Sequence, residues 1–343
     1  MEANERETPV TTGRVFGDKY RVDGLLGNGG MGVVFAATHL QLQTRVAIKL
    51  LRADVSRSKT AAARLLREAR ATAKIKSEHV ARILDIGAVD WSGLYVVMEH
   101  LDGQDLAALM QAQPLWSPPE AAAVLMQACE GVRAAHAHGI IHRDLKPSNL
   151  FVIKDPAGAL RIKVLDFGLS KLVDPETGSP IVTRGGGQLT LPDSMLGSPG
   201  YTSPEQLNDP RAVDVRTDIW SLGVILYEML GGGPPFRAKT MPELCRQILH
   251  EPPPDLRSQR PDLPPGLVAI VERCLMRTPG QRYPTVNALM KDLARFAGAA
   301  GAPAPATSVS AGSPSPATVW RRWAVVGGLL LAVLAALTAI VRR

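Results

Sequence analysis

Two apolar pairs, Ile140-Ile141 and Leu150-Phe151, bracket the run His142-Arg143-Asp144-Leu145-Lys146-Pro147-Ser148-Asn149. Five side chains within these eight residues suit phosphoryl-transfer chemistry. Asp144 can accept a proton from a hydroxyl, Lys146 can sit beside transferring oxygens, and Asn149 can hold a metal ion. β-like segments around a Pro-containing polar turn put these groups on a loop held by buried ends. A solvated surface turn has the same composition, so the rest of the chain must supply the other parts.

Those parts are present. Leu26 leads into Gly27-Asn28-Gly29-Gly30-Met31-Gly32-Val33-Val34, and Val46-Ala47-Ile48-Lys49 follows. Downstream come Asp166-Phe167-Gly168 and Ser203-Pro204-Glu205. In a dinucleotide fold the glycine loop would open a helix; here Val33-Val34-Phe35 continues as strand, which makes a β–loop–β flap over phosphates. Gly27, Gly29 and Gly32 lack a Cβ and let backbone N–H groups approach phosphate oxygens, although an ordinary hairpin uses glycine too. Lys49 ends an apolar run, where a buried charge needs a partner. A helix is predicted over about Thr60 to Ile75, with Leu65, Ala69, Thr72 and Ala73 on one face. Glu68 beside that face can be the partner; an i,i+4 surface pair with a nearby Arg is the alternative.

Other elements position the central run. Ser117-Pro118-Pro119-Glu120 is a capping box with proline at the first helical position. Ala121, Val124, Leu125, Ala128, Val132 and Ala135 then recur at helical spacing, and Gly139 stops the helix. Arg161 to Leu165 is a strand that presents Asp166, and a carboxylate suits Mg²⁺ beside phosphates. Asp218 opens a nearly all-apolar helix, Ile219 to Leu230, which must be buried.

In this order the motifs resemble the signature of protein kinases, most closely the bacterial eukaryotic-like serine/threonine kinases, from Phe16 to Phe296. The resemblance implies an α+β fold of two lobes. A β-rich N-lobe spans residues 15–99 and a mainly helical C-lobe residues 104–297, after a flexible lead over residues 1–14. It implies ATP and Mg²⁺, with Mn²⁺ as an alternative metal. Lys49 would hold the α- and β-phosphates and Glu68 would be its ion-pair partner. Asp144 would be the base, Lys146 a phosphate contact, and Asn149 with Asp166 the metal pair. Val34, Ala47 and Phe151 match positions that sandwich adenine. Met98 would guard the pocket behind it, and the backbones of Glu99 and Leu101 would meet the adenine edge. Leu26 and the glycine loop would cover the phosphates, and Phe167 would pack behind Asp166. Lys146, two residues after Asp144, favours serine/threonine over tyrosine substrates.

Structural and regulatory roles follow from the same resemblance. Ser198 stands in the substrate-docking turn where the family usually has threonine, and Ser203 where it often has alanine. Glu205 would pair with Arg282, and Asp218 would anchor the backbone amides of the catalytic loop. Arg143 would answer to a phosphate on the long Gly/Ser/Thr/Pro-rich segment between Gly168 and Ser203. Ser194 is the first candidate there, Thr190 the second, and Thr183 also lies in the segment.

Composition narrows the rest. Of the net charge of +7, Arg321, Arg322, Arg342 and Arg343 carry four, so no nucleic-acid partner is expected. Three scattered cysteines suit a reducing compartment. Residues 1–14 lack the apolar core of a secretory signal. Residues 298–319 are an uncharged Ala/Pro/Ser/Gly linker. Ala324 to Val341, the core of a segment over residues 320–343, is an uncharged run of eighteen residues between Trp/Arg flanks. At about 1.5 Å per residue it nearly matches a bilayer core of about 30 Å. A single-pass anchor in the cell membrane with the kinase domain cytoplasmic is therefore expected. A sensor beyond the membrane is absent from this sequence, so the signal would come from elsewhere or the chain is a truncated form. The partners implied are protein substrates, the lipid bilayer through residues 324–341, and a second copy of the chain for autophosphorylation in trans. The rival readings are a pseudokinase scaffold that binds nucleotide without transfer, and a small-molecule kinase of related fold.

Overall fold

Apolar residues at alternate positions build the first lobe as a sheet. The structure, a computed structural model, describes residues 11–29, 32–51, 59–89, 93–154, 159–167, 198–209 and 213–298. The strands are β1 (Val15–Phe16), β2 (Tyr20–Gly29), β3 (Gly32–His39), β4 (Thr44–Leu51), β5 (Ile83–Val89) and β6 (Gly93–Glu99). They form one antiparallel sheet in the order β1-β2-β3-β4-β6-β5. Cross-strand partners point to one face. Phe35, Ala37, Val46, Ile48 and Leu50 turn into a core with Phe16, Tyr20, Val22, Tyr95 and Val97. The register Val34–Lys49 and Ala36–Ala47 therefore puts Val34, Ala47 and Lys49 together on the opposite face. Gly32 is required by the sheet itself, because a Cβ there would lie 2.0 Å from the Leu50 carbonyl oxygen.

Two local expectations shift. Helix α1 runs Lys59–Thr72, so Ala73 is in an exposed turn and not on the buried face, while Ile75 is buried beyond the helix end. At the N-terminus, Gly13 N–H donates to Val22 O and Val22 N–H to Arg14 O, both at 2.8 Å, so pairing reaches back to residue 13.

The second lobe begins with β7 (Gly103–Asp105), α2 (Leu106–Ala112) and α3 (Pro118–His136). The Ser117 hydroxyl and N–H both donate to the Glu120 carboxylate at the start of α3, which forms the expected capping box. Strands β8 (Leu150–Lys154) and β9 (Leu160–Val164) complete a three-stranded sheet with β7. Helices α4 (Pro204–Asn208), α5 (Arg216–Gly231), α6 (Met241–His250), α7 (Leu256–Gln259), α8 (Pro265–Cys274) and α9 (Val286–Leu293) follow. Helix α5 is buried from Thr217 to Leu230 except at Glu228, and it packs on α3, α8 and α9. This all-round burial follows from its apolar sequence. Among the described residues no helix is long and apolar enough to cross a membrane. The proposed span over residues 324–341 and the linker from residue 299 onward lie outside the described residues.

Candidate active site

The turn between α3 and β8 carries the polar run, and its shape is fixed from below by one buried carboxylate. Asp218, in the first turn of α5, is fully buried. Its Oδ1 accepts Arg143 N–H at 2.9 Å, and its Oδ2 accepts His142 N–H at 2.9 Å and His136 Nε2 at 2.7 Å. Burial alone would raise this carboxyl. The His136 hydrogen bond and charge and the His142 amide outweigh it and hold it below the ordinary carboxylate range. Arg143 takes a left-handed φ of 65°, a costly state for a non-glycine residue that its surroundings must over-determine. The cause is visible: its N–H goes to Asp218, and its carbonyl accepts Gln206 Nε2 at 2.8 Å.

His142 joins this turn to the end of β9. Its Nδ1 accepts Asp144 N–H at 3.3 Å, which leaves Nε2–H to donate to Leu165 O at 2.8 Å. Its ring also packs 4.9 Å from that of Phe167. Asp144 thus projects from a fixed turn. Lys146 Nζ lies 3.1 Å from Asp144 Oδ2. Asn149 Nδ2 donates to Asp144 O at 2.7 Å. Leu165 N–H donates to Asn149 O at 2.9 Å, which sets Asn149 beside Asp166 in the chain trace.

From the sheet side comes Lys49, buried, with Nζ 2.8 Å from Asp166 Oδ2. Asp166 has a left-handed φ of 58°. The ion pair Lys49 makes here is thus with Asp166. Glu68, expected as its partner, lines a concavity with Arg67, Ala71, His142 and Arg143. Asp166 offers carboxylate oxygens, and Asn149 commits its amide nitrogen to Asp144, which leaves the amide oxygen as its donor atom. Two hard oxygen donors suit Mg²⁺, which keeps water and phosphate oxygens in its shell. Among the described residues no cluster of three or more His, Cys, Asp and Glu could hold a metal.

The residues expected to line the nucleotide site come from both lobes. Val34 and Ala47 share the Lys49 face of the sheet, with Gly27 paired to Val34 and Asn28 to Val33. Met98 and Glu99 end β6, Leu101 follows two residues later, and Phe151 lies in β8 opposite Asp105 and Lys163. Leu26 is exposed on β2. Gly30, Met31, Gly168, Thr183, Thr190 and Ser194 lie outside the described residues. Ser198 begins a 3₁₀ turn that ends at Tyr201.

Below, Glu205 and Arg282 meet as a two-pronged ion pair at 2.7 and 2.8 Å, with Arg282 fully buried. Thr217 Oγ1 also donates to Glu205, at 2.7 Å. Burial pushes the Glu205 carboxyl up, and Arg282 with Thr217 brings it below its ordinary value. The Tyr201 hydroxyl donates to Glu228, whose carboxyl is raised by burial.

Sequence reasoning missed His136, Gln206 and Thr217. All three act on backbone or on another polar group across 12 to 82 residues of chain. Only Gln206 left a local signal, because it closes a capping box with Ser203 at the start of α4.

The lobes, the fixed turn and the two acidic sites define a class. Residues 20–293 match the protein kinase domain, and the chain belongs to that family, in its bacterial eukaryotic-like serine/threonine branch. It is 33% identical over 289 residues to a probable serine/threonine-protein kinase PknB of Corynebacterium glutamicum, covering 82% of this chain and 43% of that protein. It is 34% identical to the serine/threonine-protein kinase PknB of Mycolicibacterium smegmatis, covering 83% and 44%. It is 32% identical to the serine/threonine-protein kinase pkn3 of Myxococcus xanthus, covering 84% and 51%. The chain thus spans about half the length of these curated relatives or less. The crystal structure of the Mycobacterium tuberculosis PknI kinase domain has the same fold, with a TM-score of 0.64 at 23% identity, covering 84% of this chain and 99% of that one.

Proposed function

We propose that the protein transfers the γ-phosphate of ATP to serine and threonine hydroxyls of proteins. The observation that carries this is the convergence at one turn. Asp144 stands there with Lys146 at 3.1 Å and Asn149 at 2.7 Å, while Lys49 and Asp166 meet at 2.8 Å next to it. Asp144 orients the substrate hydroxyl and accepts its proton. Lys146 stands beside the transferred phosphoryl group and offsets charge that builds on its oxygens. Lys49 holds the α- and β-phosphates. Its present contact with Asp166 is one that bound phosphates compete for. Asn149 and Asp166 would hold Mg²⁺, which neutralises phosphate charge when bound. Val34, Ala47 and Phe151 enclose the adenine, with Met98 behind it and the main chain of Glu99 and Leu101 along its edge. The glycine loop of residues 27–32 covers the phosphates. Ser198 and its turn dock the substrate segment. Because the groups are preset by Asp218 and His142, catalysis is mostly positioning and electrostatics.

The reading extends to regulation and place. Phosphate on Thr183, Thr190 or Ser194 would bring close to two negative charges to the activation segment, and Arg143 would receive them. Residues 324–341 anchor the chain in the cell membrane, with the kinase domain on the cytoplasmic side where ATP is. Confinement to a surface raises the local concentration of neighbours and favours transfer between two copies. Incubation of the full chain with labelled ATP, Mg²⁺ and a generic protein acceptor tests the reading. Label is expected on serine and threonine of the acceptor, and in a peptide spanning residues 183–194 of the enzyme. No label on any protein, with ATP bound, would leave a nucleotide-binding scaffold. For the anchor, the full chain is expected in the membrane pellet after carbonate washing, and its release into the wash would remove that part.

A further inference from the structure

The adenine-edge role proposed for Glu99 involves only its main chain. Its side chain is held from two sides. Lys163 Nζ donates to Glu99 Oε1 at 2.8 Å. Arg82 N–H donates to the same oxygen at 2.8 Å, and Arg82 Nε lies 3.8 Å from Oε2. Glu99 N–H in turn donates to Arg82 O at 3.0 Å. Lys163 sits within β9 and is only 8% exposed. As the register partner of Phe151 it shares that residue's face of the small sheet. An apolar side chain would fill this position without a buried charge, so the ammonium group calls for an account.

The anchor points are rigid. Ala81 N–H donates to Val164 O at 3.0 Å, and Val164 N–H to His79 O at 2.9 Å. His79 Nδ1 lies 2.8 Å from Ile162 O. A Cβ on Gly131 of α3 would come within 2.4 Å of His79 O, so the helix also presses on this loop. Residues 79–82 and β9 are therefore one body, and Glu99 is the last residue of β6 before the chain crosses to β7. Rotation of the six-stranded sheet about residues 100–102 has to stretch or break the contact between Glu99 and Lys163.

We propose that Lys163, Glu99 and Arg82 form a latch across the hinge. It fixes how the main chain of Glu99 and Leu101 is presented to the adenine edge. Lys163 is then a positioning residue for nucleotide binding, acting through Glu99. The inference rests on residues 99–101 being the adenine-binding hinge. It adds a side-chain device that sets ATP affinity and the freedom of the lobes to open.

Lys163→Met in the full chain is the test, since it removes the ammonium group, keeps the apolar stem and leaves Glu99 its bond from Arg82. The KM for ATP and the Kd for a fluorescent ATP analogue are expected to rise about three- to tenfold, while kcat stays within about twofold. Amide hydrogen exchange at residues 99–103 is expected to quicken without nucleotide. Lys163→Arg, which can still donate to Glu99, is expected to restore both. Unchanged affinity and exchange would overturn the latch. A parallel fall in kcat and melting temperature that Lys163→Arg does not rescue would also overturn it, in favour of plain packing. If the parent protein binds no ATP, the kinase reading fails, and the exchange comparison still decides the latch.

Discussion

Replacing Asp218 by asparagine strikes the support of the catalytic turn without touching a reacting group. The carboxylate is fully buried and takes three hydrogen bonds, from Arg143 N–H, His142 N–H and His136. Asparagine offers one acceptor oxygen and an NH₂ group. With its oxygen in the Oδ2 position, the bonds from His142 and His136 survive and Arg143 N–H faces another donor. The flipped amide loses two bonds. The smaller loss is one charge-assisted bond, about 1.5–3 kcal/mol, plus one buried orphan donor, about 1–3 kcal/mol. The total of about 2.5–6 kcal/mol corresponds to a fall of about 5–24 °C in Tm, at about 2–4 °C per kcal/mol for a large domain. Arg143, no longer held at both ends, can relax from its left-handed φ and carry Asp144 with it. The kcat is therefore expected to fall more than tenfold, at about 1.4 kcal/mol per factor of ten. The KM for ATP should move less, because the proposed adenine and phosphate contacts lie on other elements. Thermal unfolding followed by circular dichroism, with steady-state kinetics below the lower Tm, reads both effects. A Tm within about 2 °C of the parent together with an unchanged kcat would refute the reasoning.

Two further outcomes follow from the buried ion pair and the shifted carboxyls. Arg282→Lys is expected to destabilise nearly as much as Arg282→Met, by about 3–5 kcal/mol, because lysine cannot form the two-pronged contact with Glu205 and also reach Met276 O, Arg216 O and Arg277 O. Denaturant titrations of the two variants check this, and a lysine variant as stable as the parent would count against it. Asp218 and Glu205 are both depressed in the folded state. Each contributes stability that is present above its unfolded pKa, about 3.9 for Asp and 4.3 for Glu, and is lost as pH falls through the lower folded value. Glu228, raised by burial, has the opposite sign and loses its contribution as pH rises through its folded value. The Tm is expected to drop steeply below about pH 4, and less steeply in Arg282→Met than in the parent. Parallel curves for the two proteins would show that Glu205 is not responsible.

Much of this site was legible because its residues come as contiguous motifs. Asp144, Lys146 and Asn149 lie within six residues, and loop closure over so short a run leaves little freedom in where they meet. Local pattern also placed the capping box at Ser117 and the buried character of α5, since both depend on near neighbours in sequence. What pattern could not give was the far end of each polar contact. His136 reaches Asp218 across 82 positions, and Lys163 reaches Glu99 across 64. A histidine in the last turn of a helix and a lysine in a strand look like solvated residues until packing buries them. Lys49 meets Asp166 here, a contact between distant stretches of chain that no local pattern announces. Gly32 shows the converse case, where a glycine ascribed to phosphate approach is already required by the Leu50 carbonyl.

The central claim is that Asp144 is the group that receives the substrate proton at a site built to bind ATP. Asp144→Asn keeps the acceptor oxygen that can orient a hydroxyl and removes the basic carboxylate, and Lys49 and Asp166 are untouched. Single-turnover transfer from labelled ATP to a serine-containing protein, measured beside the Kd for ATP, tests this most directly. The expected result is a Kd within about twofold of the parent and a transfer rate lower by about two to four orders of magnitude, the usual contribution of general-base catalysis. Transfer at the parent rate with ATP bound equally well would contradict it.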